Sequence, residues 1–326
     1  MWNVLQRLNR HLILAIPVMM IAGFVCGYAW DAHGLKRLIL PFTFLMVYPM
    51  MVTLKIRELF RGGDLKAQLL TQTLNFTIIP LTAYFLGRFF FSTQPAMALG
   101  LLLAALVPTS GMTISWTGFA RGNLAAAVKM TIIGLVLGSL ATPLYIQALL
   151  GATIPVDMLH VFKQIALVVF LPMLAGTLTQ TWLLKRYGQE CFQKQLAPKF
   201  PGLSTVGVLG IVFIAMALKA RGIAAQPQAL LLIFVPLLIL YVGNFLLSTL
   251  VGRLLLKRGD AIAMVYGTVM RNLSIALALA MGAFGSAGAD AALVISLAYI
   301  IQVQSAAWYV RLTGRIFGPA PEPQPA

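Results

Sequence analysis

The chain has 326 residues, of which 60% are hydrophobic and 10% are charged, and its mean hydropathy is +0.90. A soluble domain of this length cannot bury so much apolar surface, so the composition indicates an integral membrane protein. The net charge of +16 does not indicate nucleic-acid binding, because no solvated basic domain is visible and the cations mostly flank apolar segments.

Ten apolar segments of membrane-spanning length follow one another along the chain. In order they run approximately from His11 to Trp30, Leu38 to Leu54, Ala67 to Phe91, Ala96 to Ala120, Leu124 to Leu150, Leu159 to Leu184, Leu203 to Leu218, Ala229 to Leu256, Ala261 to Phe284 and Asp290 to Val310. The first is too long for a signal-peptide core, so we interpret it as a retained helix.

The positions of the basic residues predict the orientation of these segments. With the N-terminus inside, sixteen Lys and Arg residues fall on the cytoplasmic side and five on the opposite side, whereas Lys129, Lys163 and Arg271 fall within segments. Such a bias predicts a multi-pass protein of the cytoplasmic (inner) membrane, with both termini in the cytoplasm.

A short motif recurs in the two halves of the chain. Phe85-Leu86-Gly87-Arg88 ends the third segment, and Leu250-Val251-Gly252-Arg253 ends the eighth. Five segments separate the copies, and an odd number inverts the second copy relative to the first. We therefore predict one membrane transporter domain at 1–317, built from repeats at about 1–152 and 153–317, and a disordered Pro-rich tail at 318–326.

The fourth segment contains a polar stretch, Val107 to Trp116, with a proline, a glycine and four hydroxyl side chains. Pro108 removes a backbone donor and Gly111 tolerates unusual backbone angles, so these two residues predict a broken helix. Unpaired backbone groups inside a bilayer are tolerated only where they are buried in protein or line a wet cavity, so this stretch is a candidate binding site. A simple proline kink is the alternative.

Two cations at membrane depth are the next candidates. Lys129 lies near the start of the fifth segment, and Arg271 lies in the middle of the ninth, beside Asn272. All eight acids fall in loops, tails or segment ends, so the expected partners are backbone carbonyls, polar side chains, water or a bound anion. The alternatives are snorkelling of Lys129 to the cytoplasmic face and a purely helix-bridging role for Arg271.

The third segment adds two polar residues, Gln72 and Asn75, which are three positions apart and share one helix face. They either contribute to the site or form interhelical hydrogen bonds that only join helices. The sequence shows no nucleophile with a base and no metal-ligand spacing, so we predict neither an enzyme nor a cofactor or metal. Cys26 and Cys191 are predicted to be free thiols.

The chain resembles the superfamily that contains the bile acid:sodium symporters and the arsenite permeases, over nearly its whole length. Three places carry the resemblance: Asn75-Phe76 with Pro80; Pro108 with Met112, Trp116 and Ala120-Arg121-Gly122-Asn123; and Met270-Arg271-Asn272 followed by Ala276-Leu277-Ala278-Leu279-Ala280. The fourth-segment pattern is closest to the arsenite permease branch. The resemblance implies an all-α fold of ten helices, with a panel domain (helices 1, 2, 6 and 7) and a core domain (helices 3–5 and 8–10). It also implies that broken helices 4 and 9 cross at the midplane and form the site.

The sequence also departs from both branches. Arsenite permeases have a cysteine where this chain has Thr109, and they have an Asn-Asn-Phe-Glu run where this chain has Arg271-Asn272-Leu273-Ser274. Sodium symporters have a glutamate and a glutamine at the positions of Gly267 and Arg271, and a serine and an asparagine at Thr113 and Ile114. The cage of oxygen ligands that sodium needs is thus dismantled, and a cation, Arg271, stands at one of its positions.

Together these features predict a secondary transporter that moves a small solute by alternating access without sodium coupling. The expected solute-binding residues are Gln72, Asn75, Thr109, Ser110, Thr113, Arg271 and Asn272, the expected ion-coupling residues are Lys129 and Arg271, and the expected helix break is at Pro108 and Gly111. The solute stays open between arsenite or antimonite and an organic or inorganic anion. A membrane sensor that binds a ligand without moving it is the alternative from another functional class.

Overall fold

In a computed structural model of the chain, the described residues are 12–54, 64–151, 157–225 and 228–319. Nearly all of them are helical, and within these ranges no strand forms beyond one isolated β-bridge between Pro108 and Arg271. The protein is an all-α, multi-pass membrane protein. Most of the tail predicted from residue 318 onward lies outside the described residues.

Helices cover all ten segments that the hydropathy predicts. In chain order they are α1 (Leu12–Ala29), α2 (Ile39–Val52), α3 (Leu65–Thr73), α4 (Ile79–Phe90), α5 (Pro95–Leu106), α6 (Gly111–Phe119), α7 (Leu124–Leu150), α8 (Met158–Ile165), α9 (Leu171–Cys191), α10 (Phe200–Ala225), α11 (Gln228–Leu255), α12 (Arg258–Val269), α13 (Leu273–Ala283) and α14 (Gly285–Phe317). Short π-helical turns join α3 to α4 and α8 to α9.

Length and apolar composition separate the helices that can cross a bilayer unaided from those that cannot. Among the described residues, six helical runs are long and apolar enough, and three shorter apolar helices accompany them. The longest run, Leu159–Ala225, spans α8, α9 and α10, and Gly188, with a φ of 77°, kinks it within α9. The shorter helices include α5 and α13, each of which is one half of an interrupted span.

The fourth and ninth predicted segments are both interrupted, and the two interruptions touch. Residues 107–110 separate α5 from α6, and residues 270–272 separate α12 from α13. The backbone N–H of Asn272 donates to the carbonyl of Val107 over 2.9 Å, next to the bridge between Pro108 and Arg271. Because backbone groups in a membrane need partners, each interruption supplies part of what the other lacks.

The first interruption packs directly against α7 at two glycines, Gly134 and Gly138. A Cβ at Gly134 would lie 2.6 Å from Thr109 Oγ1, and a Cβ at Gly138 would lie 2.5 Å from Pro108 Cδ. Since the proline ring is rigid, no larger residue fits at Gly138 unless the interruption moves. This close approach explains why small residues stand four apart on α7.

The two Gly-Arg motifs make matching contacts in the two halves of the chain. A Cβ at Gly87 would lie 3.3 Å from Ala98 Cβ, and a Cβ at Gly252 would lie 3.2 Å from Ala261 Cβ. Each alanine is the fourth residue of its helix, α5 or α12. The motif therefore marks a close contact between each of these helices and the helix before it.

We expect Gly138→Ala to lower the apparent melting temperature of the purified protein in detergent. The added methyl group meets the Pro108 ring, and overpacking of this kind costs about 1–3 kcal/mol. Gly243→Ala is the matched control, because a Cβ at Gly243 meets nothing within 4 Å. A Gly138→Ala protein as stable as the Gly243→Ala protein would contradict the seating of the interruption on α7.

Candidate functional site

A cavity of about 400 Å³ opens beside the two interruptions. One wall comes from the end of α2 and the first turns of α10, and the other comes from α6, α7, α13 and α14. Most of the lining is apolar, including Met50, Leu54, Met112, Val128 and Leu135. The polar side chains in the lining are Thr53, Ser110, Ser115, Thr131, Ser204, Thr205, Arg271, Asn272, Ser274, Tyr299 and Gln302.

Arg271 is the charged residue of this cavity. It is the one ionised side chain among the described lining residues, and only 3% of the residue is exposed. None of its three guanidinium nitrogens has a hydrogen-bond partner among the described protein atoms. Burying a charge without a partner costs several kcal/mol, roughly, so the arrangement is suited to an anion that enters the cavity.

The backbone of Arg271 is held by Gln302 on α14. The Arg271 N–H donates to Gln302 Oε1 over 2.8 Å, and Gln302 Nε2 donates to the Arg271 carbonyl over 3.2 Å. Tyr241 on α11 donates its hydroxyl to the same Gln302 oxygen over 3.0 Å. Gln302 thus replaces the backbone partners that the interrupted helix lacks. Gln302 was not among the residues predicted from the sequence, although a glutamine in a long apolar segment is the signal that could have identified it.

Ser110 and Asn272 line the cavity and also begin the second halves of the interrupted spans. Ser110 Oγ accepts a hydrogen bond from the backbone N–H of Met112, and Asn272 Oδ1 accepts one from Ile275. Such N-caps fix the first turns of α6 and α13. Both helix N-termini therefore begin at the cavity, where their partial positive charge favours an anion.

Thr109 and Thr113 do not line the cavity. Thr109 has a left-handed φ of 62°, and its hydroxyl donates to the Pro108 carbonyl over 2.7 Å or to the Thr131 carbonyl over 3.1 Å. The hydroxyl of Thr113 accepts from the N–H of Ser110 and donates to the carbonyl of Tyr266. These side chains hold the backbone of the interruption in place behind the cavity.

Gln72 and Asn75 also lie away from the cavity lining. Asn75 is buried in the π-helical turn after α3, and its Nδ2 donates to the Gly267 carbonyl of α12 over 3.0 Å. Its Oδ1 and both polar side-chain atoms of Gln72 have no partner in the described part of the chain. The structure thus gathers Ser110, Arg271 and Asn272 at the cavity and places the other predicted binding residues around it.

Lys129 is paired with a carboxylate, so the expectation that no acid would be within its reach was wrong. Its Nζ lies 2.9 Å from Asp64 Oδ2, and the side chains of the pair are 5% and 14% exposed. Asp64 caps the start of α3 with a left-handed φ of 62°, and its side chain makes no cap hydrogen bond that would hold it on its own helix. Asn123 Nδ2 donates to both Asp64 and Asp260, so the cluster joins the starts of α3, α7 and α12.

The position where sodium symporters have a glutamate is tightly packed in this chain. A Cβ at Gly267 would lie 2.8 Å from Met130 Sδ and 3.1 Å from Thr71 Cγ2, so a glutamate would not fit without repacking. No cluster of three or more His, Cys, Asp and Glu residues occurs in the described ranges. Cys26 and Cys191 are free thiols, as predicted, and neither lines the cavity.

Comparison with known proteins agrees with the resemblance found in the sequence. The family model described as Sodium Bile acid symporter family matches residues 40–226. The arsenical-resistance protein Acr3 of Alkaliphilus metalliredigens is 25% identical over 71% of this chain and 71% of its own length. Acr3 of Corynebacterium glutamicum is 23% identical over 89% of this chain and 81% of its own. YocS of Bacillus subtilis, described as an uncharacterized sodium-dependent transporter, is 31% identical over 68% of this chain and 66% of its own.

We expect Gln302→Met to lower the apparent melting temperature of the protein in detergent. Methionine has a similar volume but leaves the N–H and the carbonyl of Arg271 without partners, and each unsatisfied buried group costs about 1–3 kcal/mol. Gln304→Met is the matched control, because Gln304 is exposed on the same helix. Equal stability of the two variants would show that Gln302 does not hold the interruption.

Proposed function

The chain belongs to the Sodium Bile acid symporter family, and we propose that it is a secondary transporter that carries a small anion across the cytoplasmic membrane by alternating access. The observation that carries this proposal is the guanidinium of Arg271, which is buried in the cavity without a partner among the described protein atoms. The two helix N-termini at Ser110 and Asn272 supply further partial positive charge. An anion bound there would satisfy all three.

We further propose ten spans arranged as two inverted repeats with both termini in the cytoplasm. The supporting facts are that α5 and α12 each have 12 residues and that the Gly-Arg motifs make matching contacts. Ala98 and Ala261 occupy equivalent positions in the two proposed repeats. Pro108 and Arg271 are the same number of positions apart along the chain as these two alanines, so they are equivalent as well. An antiparallel bridge between equivalent residues is what a two-fold axis between inverted repeats requires.

In this proposal the cavity lies between a panel domain and a core domain. The panel comprises α1, α2, α8, α9 and α10, which correspond to helices 1, 2, 6 and 7 of the predicted fold. The core comprises the other helices and carries both interruptions. Movement of the core against the panel would expose the cavity to one side of the membrane and then to the other.

Two observations favour transport without sodium. Met130 and Thr71 occupy the space around Gly267, where sodium symporters have a glutamate. Arg271 stands where they have a glutamine, and its positive charge would repel a sodium ion. The second family branch suggests arsenite as an alternative solute, because two of the relatives are named arsenical-resistance proteins. Thr109 replaces the soft cysteine ligand of that branch, and arsenous acid is mostly neutral at pH 7, so it does not require a cation.

Flux measurements on the reconstituted full chain test the proposal. Proteoliposomes would be given labelled 2-oxoisovalerate, benzenesulfonate or arsenite, with sodium and proton gradients imposed separately. We expect uptake of at least one of the two organic anions, unchanged when potassium replaces sodium. Transport of arsenite alone, or a strict requirement for sodium, would overturn the proposal.

We expect Arg271→Gln to weaken the apparent affinity for the transported anion by roughly 100-fold, because a buried charge-assisted contact is worth about 3 kcal/mol. The melting temperature without anion should not fall, because the substitution removes an unpaired buried charge. Arg253→Gln is the matched control, since Arg253 is exposed near the end of α11. A purely helix-bridging Arg271 would show the opposite result, with stability lost and affinity kept.

Lys129 remains a proposed ion-coupling residue. The observation that favours this role is its contact with Asp64, because movement of the helices that carry these two residues would separate the two charges. We expect Lys129→Gln to abolish any dependence of flux on an imposed pH gradient, whereas the exposed Lys163→Gln control retains it. A Lys129→Gln variant with the full dependence would rule out this role.

A further inference from the structure

We propose that the fixed charge of Arg271 makes this carrier an obligate exchanger of monovalent anions, in which the core domain crosses the membrane only when an anion neutralises the guanidinium. The inference rests on the proposed transport function. It adds which gradient drives transport and what allows the core domain to return across the membrane. The family match specifies neither.

The first step is that, within the part of the chain that the structure describes, no acidic side chain compensates the charge of Arg271 at the cavity. None of the acids in the described ranges lines the cavity. Three of the described acids contact other side chains: Asp64 contacts Lys129, Asp260 contacts Asn123, and Asp290 contacts Lys219. The core therefore carries a net positive charge at the cavity whenever no anion is bound there.

The second step is that this charge cannot move away from the site. Gln302 holds both backbone groups of Arg271, and the neighbouring Asn272 is tied to Val107 across the two interruptions. The residue is almost completely buried, so its side chain does not reach a membrane surface. A sodium ion or a proton can leave a carrier at the end of a cycle, but a covalently attached guanidinium travels with the core in both directions.

The third step concerns the closed intermediate that lies between the two open states. The guanidinium nitrogens are buried without a partner among the described protein atoms even while the cavity is open. Closure also removes the water of the cavity and brings its mostly apolar lining against the residue, including Met50, Leu54, Met112 and Val208. An unpaired charge in such surroundings is strongly unfavourable, whereas a charge paired with an anion is much less so. The empty carrier therefore crosses slowly, and the carrier with a bound monoanion crosses quickly.

The single charge of Arg271 also determines how many anions are exchanged in each cycle and which anion charge is preferred. One monoanion cancels one guanidinium, so the site crosses as a neutral unit, and each anion that leaves must be replaced by another for the return. The ion pair of Lys129 and Asp64 is neutral as a unit and does not alter this balance. A dianion would leave a net negative charge in the closed cavity, so monoanions are preferred.

The experiment compares uptake of labelled 2-oxoisovalerate, or of whichever of the two organic anions is transported, into two sets of proteoliposomes at equal pH on both sides. One set is preloaded with the same unlabelled anion, and the other contains buffer without it. We expect initial uptake about tenfold faster into the preloaded vesicles. The rate of exchange should not change when valinomycin and a potassium gradient set the membrane potential, since a neutral unit carries no charge across.

Arg271→Gln provides the decisive comparison. Without the fixed charge the empty carrier no longer has an unpaired ion to bury, so the ratio of uptake into preloaded and buffer-filled vesicles should fall towards one, although a higher anion concentration is needed. Arg253→Gln should keep the ratio of the unmodified protein. If Arg271→Gln transports too slowly to measure, Arg271→Lys, which keeps the charge, must retain the preference for preloaded vesicles.

The outcomes separate this inference from the function on which it rests. Equal uptake into both sets of vesicles, or exchange that responds to the membrane potential, overturns obligate exchange while anion transport stands. No uptake of either organic anion in any vesicle, with no rise in melting temperature when these anions are added to the purified protein, overturns both. Retention of the full preference in Arg271→Gln would show that exchange has another cause.

Discussion

The structure around the cavity depends on one constraint: two helices are interrupted within apolar segments, and their backbone groups must find partners there. The interruptions satisfy one another directly, through the contact of Asn272 with the carbonyl of Val107. Gln302 completes the second interruption, and Thr109 lies over carbonyls of α7. Most polar side-chain atoms near the cavity thus form hydrogen bonds with backbone groups. The guanidinium of Arg271 is different, because its own backbone is satisfied while its side chain is not.

This division explains why polar residues in an apolar segment are ambiguous in sequence. Thr109, Ser110 and Thr113 have the same kind of side chain within five positions, and local pattern predicted one role for all of them. In the fold Ser110 lines the cavity, and the two threonines face backbone carbonyls behind it. The direction of each hydroxyl is set by the left-handed turn at Thr109 and by the space that Gly134 leaves on α7. Neither can be read from hydropathy.

Features that depend on local sequence were predictable, and features that depend on distant pairing were not. The segments follow from apolar length, and Pro108 lies between the two halves of the fourth one, where its missing donor suggested a break. The partner of Lys129 was missed because Asp64 is 65 positions away, in a charged loop with no apolar pattern to place it. Gln302 was missed because the break that it completes lies on another helix, 31 positions earlier.

A fixed arginine and a dissociable ion give a carrier different energetics even when they neutralise the same bound anion. A sodium ion binds on one side and leaves on the other, so its gradient can do work on the solute. A guanidinium is present in every state and cannot equilibrate with either compartment, so it can lower the barrier for the occupied carrier without contributing energy to the cycle. With Met130 packed beside Gly267, a glutamate ligand could be restored at this position only if the surrounding side chains moved. At equal pH on both sides, the flux of the proposed exchanger must then follow from the gradients of the exchanged anions themselves.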